Sequence, residues 1–251
     1  MFFRKRPEIR FDVSNLTERS LGDIINHPLL SQIGLDGHIF ICGKTRSGKS
    51  TLAKVFFAAL NGYRIYFNVQ RDRSIYAISD VNCATPAELA DAIIANKKRI
   101  NYLPPVDDDS AKIHHDAIYR MAIALGEDIA NSRSVAELPK IPLWCTLITD
   151  ESHIIAPKGS NKDSLSVLIS RGLGLGVRSI TVTQRPAMIS HVPLTQSSHY
   201  FIFKVSKFEV SYFKRYGIDI GSGRSFIGAV PHRFMYIDSD DAQYFCEPLK
   251  I

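Results

Sequence analysis

Residues 43–51 read GKTRSGKST and match G-x-x-x-x-G-K-[ST] at every position. At average residue frequencies that pattern arises by chance in a chain of this length only about once in a hundred. The flanks constrain it further. HIFIC (His38–Cys42) is a short apolar strand ahead of the loop. TLAKVFFAAL (Thr51–Leu60) is a helix after it, with Leu52, Val55, Phe56 and Ala59 on one face and Phe57 and Leu60 widening that face. Between strand and helix, the backbone N–H groups of such a loop wrap phosphate oxygens, with the helix N-terminus behind them. Lys49 sets a positive charge against β- and γ-phosphates, and the Ser50 hydroxyl joins a Mg²⁺ shell that keeps several waters. The expected nucleotide-binding residues are Gly43, Lys44, Thr45, Arg46, Ser47, Gly48, Lys49, Ser50 and Thr51, with ATP and Mg²⁺ as cofactors.

The rest of the chain alternates strands with helices, the mark of an α/β layered domain. Strands are expected at Arg64–Val69, in the INYLPP run, and at Leu143–Thr149, Arg178–Thr183, Tyr200–Lys204 and Phe234–Ile237. Helices are expected at Pro86–Ala95, from the acidic trio Asp107, Asp108 and Asp109 to about Asn131, at Asp163–Arg171 and at Phe208–Tyr216. Residues 1–35 alternate short apolar pieces with Pro, Asn, Asp and Gly and read as an N-terminal extension, leaving 36–251 as one domain.

Composition narrows the class. The 251 residues are long enough to bury a full core, and 45% apolar with 22% charged residues excludes disorder, collagen-like repeats and coiled coil. The net charge of +6 suits a nucleic-acid or membrane-surface partner, though many basic proteins bind neither. Cys42, Cys83, Cys145 and Cys246 are scattered and form no Cys-x-x-Cys pair, so they read as buried apolar residues in a reducing compartment. MFFRKRPEIR has no apolar region after its basic cluster, which excludes a signal peptide, and no transmembrane segment is expected. The expected location is the cytoplasm.

Two further motifs carry chemistry. LITDES places Asp150 and Glu151 directly after a buried strand. Alone, such a pair is more often a solvated helix start; beside a phosphate loop, Asp150 is suited to hold magnesium waters and Glu151 to polarise an attacking water. That is a hydrolase's requirement rather than a kinase's. The strand RSITVT ends in Gln184, Arg185 and Pro186. Gln184 is either a turn cap before proline or a sensor whose amide reads the γ-phosphate and orients water.

GKTRSGKST, LITDES and TVTQRP, in this order, resemble the motifs of the FtsK/HerA group of P-loop ATPases, over about Gly37 to Val205. The resemblance implies an α/β, RecA-like P-loop NTPase: three αβα layers around a mostly parallel central sheet, with an additional strand between the two Walker strands. It implies a homo-oligomeric ring, usually a hexamer, that pumps double-stranded DNA using ATP. It assigns Lys49, Glu151, Gln184 and Arg171 to catalysis, Glu151 as general base and Gln184 as sensor, and Ser50 and Asp150 to the metal. Arg171 corresponds to an arginine that reaches the neighbouring subunit's nucleotide, with Arg178 the second candidate. The compact length extends the similarity to genome-packaging ATPases of internal-membrane icosahedral viruses, with capsid or membrane vertex proteins as further partners, in the host cytoplasm or at a virion vertex.

Two positions depart from the group. Arg46 stands where glycine is frequent, and Thr149 replaces the usual aliphatic residue before Asp150. A ring that moves DNA presents basic loops to phosphates without reading sequence. Arg71 and Arg73 in QRDR, and Lys158 and Lys162 in HIIAPKGSNK, are the candidates, each loop being equally readable as plain solvated surface. His114 and His115 face different ways on one helix, so a metal site there is not expected. The aromatic set Tyr200, Phe201, Phe203, Phe208, Tyr212 and Phe213 reads as core and subunit interface. The alternatives in other classes are a secretion or phage-assembly ATPase acting on protein and a small-molecule kinase.

Overall fold

Ile39 and Ile41 belong to one apolar cluster and Phe40 and Cys42 to another, so the strand before the phosphate loop is buried on both faces. A strand of that kind lies in the interior of a layered sheet. The computed structural model describes residues 37–132, 143–160, 162–221 and 223–249; the expected extension at 1–35 lies outside them.

The strands among the described residues are β1 (Ile39–Cys42), β2 (Tyr63–Phe67), β3 (Val81–Cys83), β4 (Arg99–Tyr102), β5 (Cys145–Thr149), β6 (Val177–Thr183), β7 (His199–Ile202), β8 (Phe234–Ile237) and β9 (Gln243–Cys246). The helices are α1 (Lys49–Ala59), α2 (Arg73–Ile78), α3 (Pro86–Ile94), α4 (Asp108–Asn131), α5 (Ser152–Ile155), α6 (Ser164–Arg171), α7 (His191–Gln196), α8 (Lys207–Arg215) and α9 (Arg224–Ala229). The nine strands form one sheet in the order β3-β4-β2-β5-β6-β1-β7-β8-β9, parallel from β3 to β7 and antiparallel at β8 and β9. The strand that ends in Gln184, β6, lies between β1 and β5, where the resemblance puts the additional strand.

One face of the sheet is covered by Leu52, Ala53, Phe56 and Phe57 of α1 and Ile75 of α2. The other carries α3, α4, α6, α7, α8 and α9 through residues such as Leu89, Ile118, Leu165 and Phe213. These are the three expected layers. Helix starts follow the chemistry of their sequences: Asp107 accepts from the Ser110 N–H at 2.8 Å with Asp108 and Asp109 in the first turn, and Thr85 with Glu88 forms a capping box before Pro86.

The four cysteines are free and buried, as expected. Of the aromatic set read as core and subunit interface, Tyr200, Phe201, Phe203, Tyr212 and Phe213 are buried, and Phe208 is 86% exposed on the first turn of α8. No helix among the described residues is long and apolar enough to cross a membrane.

Candidate active site

In a parallel sheet every strand delivers its C-terminal end to the same edge, and here that edge collects the three motifs. Register fixes the neighbours. Cys42 of β1 is level with Thr183 of β6, and Phe67 of β2 with Thr149 of β5. The residues that follow these strand ends are the phosphate loop, Gln184, Asp150 with Glu151, and the Asn68–Arg73 loop.

The phosphate loop is pinned at its base, with the Gly43 N–H donating to the Thr183 carbonyl at 3.3 Å and Lys44 N–H to Lys204 O at 2.7 Å. Gly48 has φ of 109°, and a Cβ there would meet Phe203 Cε1 at 2.8 Å. A Cβ at Gly43 would stand 2.6 Å from Phe203 Cβ. Both glycines are therefore required by close approach, and Gly48 also by its backbone conformation. Arg46 adopts φ of 60°, the left-handed region, which explains why glycine suits this fourth position. Lys44, Thr45 and Arg46 are exposed, Ser47 and Lys49 buried. The Lys49 ammonium donates to Lys44 O at 3.0 Å, and burial lowers its pKa while Glu151 and Asp150 oppose that shift.

Asp150 and Glu151 are both buried. Burial, reinforced by the Glu151 charge, pushes the Asp150 carboxyl up to about 7, against the Glu151 N–H and Lys49, which stabilise its anion. Glu151 has φ of 47° and ψ of 45°, a left-handed residue at the N-cap of α5. Such conformations cost on the order of 1–3 kcal/mol and cluster at functional sites. The turn is fixed by Ser152, whose hydroxyl donates to Thr149 O at 2.6 Å and accepts from the Val182 N–H of β6 at 3.2 Å.

Glu151 is the centre of a side-chain network. Gln184 Nε2 donates to Glu151 Oε1 at 3.0 Å, and the same oxygen accepts from Gln70 Nε2. The Thr45 hydroxyl of the phosphate loop donates to Gln184 Oε1 at 2.6 Å. His153 Nδ1 lies 3.3 Å from Glu151 Oε2 without hydrogen-bonding geometry, so among the described residues that buried oxygen has no hydrogen-bond partner. Burial holds His153 below the ordinary histidine pKa despite Glu151. The Gln184 amide thus faces the carboxylate and the loop.

Thr149 also has an explanation. Its hydroxyl is 3.0 Å from His115 Nε2, and His115 Nδ1 is 2.7 Å from Ser164 Oγ. One imidazole therefore joins α4, β5 and α6 beneath the site, while His114 turns to the Tyr102 hydroxyl at 2.7 Å.

Arg171 is exposed at the C-terminal end of α6, and the next residue, Gly172, accepts from Val177 N–H at the start of β6. It lies at the sheet edge opposite the phosphate loop, about 20 Å away along the seven residues of β6. That position excludes contact with its own loop. Arg178 is buried in β6, its guanidinium donating to Thr146 Oγ1 at 3.2 Å, and is a strand residue rather than a reaching arginine. Arg71, Arg73, Lys158 and Lys162 are all exposed; Arg71 directly follows Gln70 in the chain, and Lys158 N–H is tied to Met188 O at 2.8 Å. Gln70 is the residue that sequence reading missed. Its signal was topological: it follows β2, the strand that pairs with β5.

Solved structures share this fold. The genome packaging NTPase B204 from Sulfolobus turreted icosahedral virus 2 in complex with AMPPCP is similar at a TM-score of 0.63 and 17% identity, over 86% of this chain and 98% of that one. Its complex with ATP-gammaS gives 0.62 at 16% identity, over 86% and 100%. The DNA-packaging ATPase B204 from Sulfolobus turreted icosahedral virus gives 0.58 at 18% identity, over 86% and 99%. The chain has the P-loop NTPase fold. No protein-family model matches the sequence, and no curated protein matches it.

A P-loop NTPase fold frames the open space at the loop. One cavity of about 390 Å³ is lined by Lys44, Thr45, Arg46, Ser47, Lys204 and His232, among others. A second, about 230 Å³, is lined by Gly48, Thr51, Phe203, His232 and Leu249. Ser47 Oγ, like Glu151 Oε2, is buried without a hydrogen-bond partner among the described residues.

The donors also fit magnesium. The Ser50 hydroxyl and the buried Asp150 carboxylate are oxygen ligands of the hard type it takes, and a cation offsets the two adjacent carboxylates. Among the described residues no group of three or more His, Cys, Asp or Glu forms a cage.

Proposed function

We propose that this chain is a Mg²⁺-dependent ATPase that assembles into a homo-oligomeric ring, a hexamer, and translocates double-stranded DNA as a viral genome-packaging motor. One observation carries the reading. Glu151, a buried carboxylate suited to activate water, is hydrogen-bonded to Gln184, which is hydrogen-bonded to Thr45 of the phosphate loop. Base, γ-phosphate sensor and nucleotide loop are one connected unit, which a hydrolase needs and a simple kinase does not.

The roles follow from position. Backbone N–H groups of residues 44–50 cradle the phosphates, and Lys49 neutralises the β- and γ-oxygens. Ser50 and Asp150 would hold Mg²⁺, which would supply charge neutralisation on the phosphates. Glu151 takes the proton of the attacking water and Gln184 orients that water through its amide. The adenine ring of the nucleotide is assigned to the cavity lined by Thr51, Phe203, His232 and Leu249. Arg171, remote from its own loop, completes the neighbour's site and offsets transition-state charge. The packaging NTPases with the same fold, and the +6 charge, support DNA as the partner; capsid or membrane vertex proteins would dock the ring in the host cytoplasm.

The test is phosphate release from ATP with and without duplex DNA over a salt series. A DNA motor shows stimulation that falls steeply with salt. Hydrolysis indifferent to duplex DNA at low salt contradicts the DNA assignment and favours a protein substrate.

A further inference from the structure

We infer that the cavity at the Lys44 end of the phosphate loop is a second binding site. Its ligand is a small amphiphilic anion, a free carboxylate carrying a short apolar chain. The site is independent of the hydrolase reading and of the DNA assignment.

The cavity has a volume of about 330 Å³, at the small end of the range of small-molecule pockets. It is bounded by the chain that leaves β7 and by residues of α8 and α9. Phe203, Val205, Ile220 and Ile227 give it apolar walls, and all but Val205 are buried. Lys44, Lys204, Lys207 and Arg224 also line it, and all four are exposed. No Asp or Glu among the described residues lines the cavity. None of the four cations makes an ion pair among the described residues.

This combination selects a ligand class. Like charges around one cavity repel one another, and an anion seated among them turns that repulsion into attraction. Arginine and lysine hold a carboxylate by charge-assisted hydrogen bonds. The walls, by contrast, gain only from an apolar body that leaves water. A bare inorganic anion leaves the walls without a partner, and a neutral apolar molecule leaves the cations without one. A short-chain carboxylate satisfies both.

The cavity is distinct from the nucleotide site yet touches it. Gly48, Lys49, Ser50 and Thr51 do not line it, whereas Lys44 and Lys204 line both it and the 390 Å³ cavity at the loop. The Lys44 N–H donates to Lys204 O at 2.7 Å, and Lys44 O accepts from the Lys49 ammonium at 3.0 Å. A carboxylate in the cavity and phosphates on the loop therefore share Lys44. Each weakens the other by a finite factor that is the same in both directions.

The experiment titrates the full chain by calorimetry with acetate, butanoate, hexanoate, octanoate and octanol, and repeats octanoate with a non-hydrolysable ATP analogue present. The variants are Lys207→Glu/Arg224→Glu and Lys207→Ala/Arg224→Ala. Both positions are exposed first residues of helices, where an acid suits the helix dipole, and thermal melting reports that the fold is kept. Octanoate is expected to bind saturably, with affinity rising roughly fourfold per buried CH₂ along the series. Octanol and the Glu double variant are each expected to lose roughly tenfold, the scale of one charge-assisted hydrogen bond, with the Ala variant between. The analogue raises the Kd for octanoate by roughly fivefold and then no further. Absence of saturable octanoate binding, equal binding of octanol, or folded variants that bind as wild type overturns the site. A Kd for octanoate that is unmoved by the analogue, or that climbs without limit as the analogue is added, also overturns it; the second outcome places octanoate in the nucleotide site.

Discussion

Gln184 Nε2 donates to Glu151 Oε1 at 3.0 Å across the ends of two adjacent parallel strands, β6 and β5. The pair depends on the insertion of β6 between the strand of the phosphate loop and the strand of the acidic pair. If Gln184 orients water against Glu151, then Gln184→Ala lowers kcat about 10²-fold, the cost of one oriented donor at a reacting centre. KM for ATP stays within about threefold, because the loop's backbone N–H groups and Lys49 are kept and only the Thr45 side-chain contact is lost. Steady-state kinetics over an ATP series separates the two constants.

Thr149 and His115 form the second defined pair, 3.0 Å apart and wholly buried. Thr149→Val keeps the volume and leaves His115 Nε2 unsatisfied, a loss of about 1–3 kcal/mol of stability. The same substitution in a His115→Leu background costs less, since no partner is left stranded. A double-mutant cycle by urea denaturation reads the coupling, and strict additivity excludes the pair as a stabilising unit.

Acid sensitivity follows from burial. Desolvation pushes the His115 pKa down to about 3 and His38 down to about 4. Unfolded, both titrate near 6.5, so the unfolded chain binds more protons in acid. Their contribution to stability is complete above about pH 6.5 and is lost as the pH falls toward 4 and then 3. Asp150, raised to about 7 mainly by burial, acts in the opposite sense over the range from about 4 to 7. The measurement is therefore a difference: wild type loses more stability than His115→Gln between pH 7 and pH 4. Parallel profiles contradict the buried neutral imidazole.

Arg171 lies at the far edge of the sheet from its own phosphate loop, so the role proposed for it in hydrolysis requires a second subunit. Arg171→Ala alone is expected to lose about 10³-fold in kcat. Mixed with Glu151→Gln subunits it partly recovers, because some interfaces pair an intact arginine with an intact base. No recovery at any mixing ratio rules out the shared site.

Much of this was legible in the sequence because the informative segments are local. The phosphate loop, its strand and its helix are contiguous, and strongly periodic runs such as those of α1 and α4 announce themselves. The short elements α2, β3, α7, α9 and β9 were not legible, since three to six residues hold less than two turns or too few alternations to establish a period. Sheet order is non-local. That left Gln70 unread, although β2 pairs with β5 in a register that carries its loop to Glu151. Arg178 showed the reverse error: seven buried residues of β6 enclose a guanidinium that sequence alone leaves available.

The central claim is that Glu151 is the base of an ATP hydrolase whose phosphate loop binds through Lys49. Its most direct test measures ATP binding and phosphate release in wild type, Glu151→Gln and Lys49→Ala. The account predicts that Glu151→Gln binds ATP as wild type does and loses turnover by about 10²–10⁴-fold, while Lys49→Ala loses both. Near-wild-type phosphate release from Glu151→Gln would contradict it.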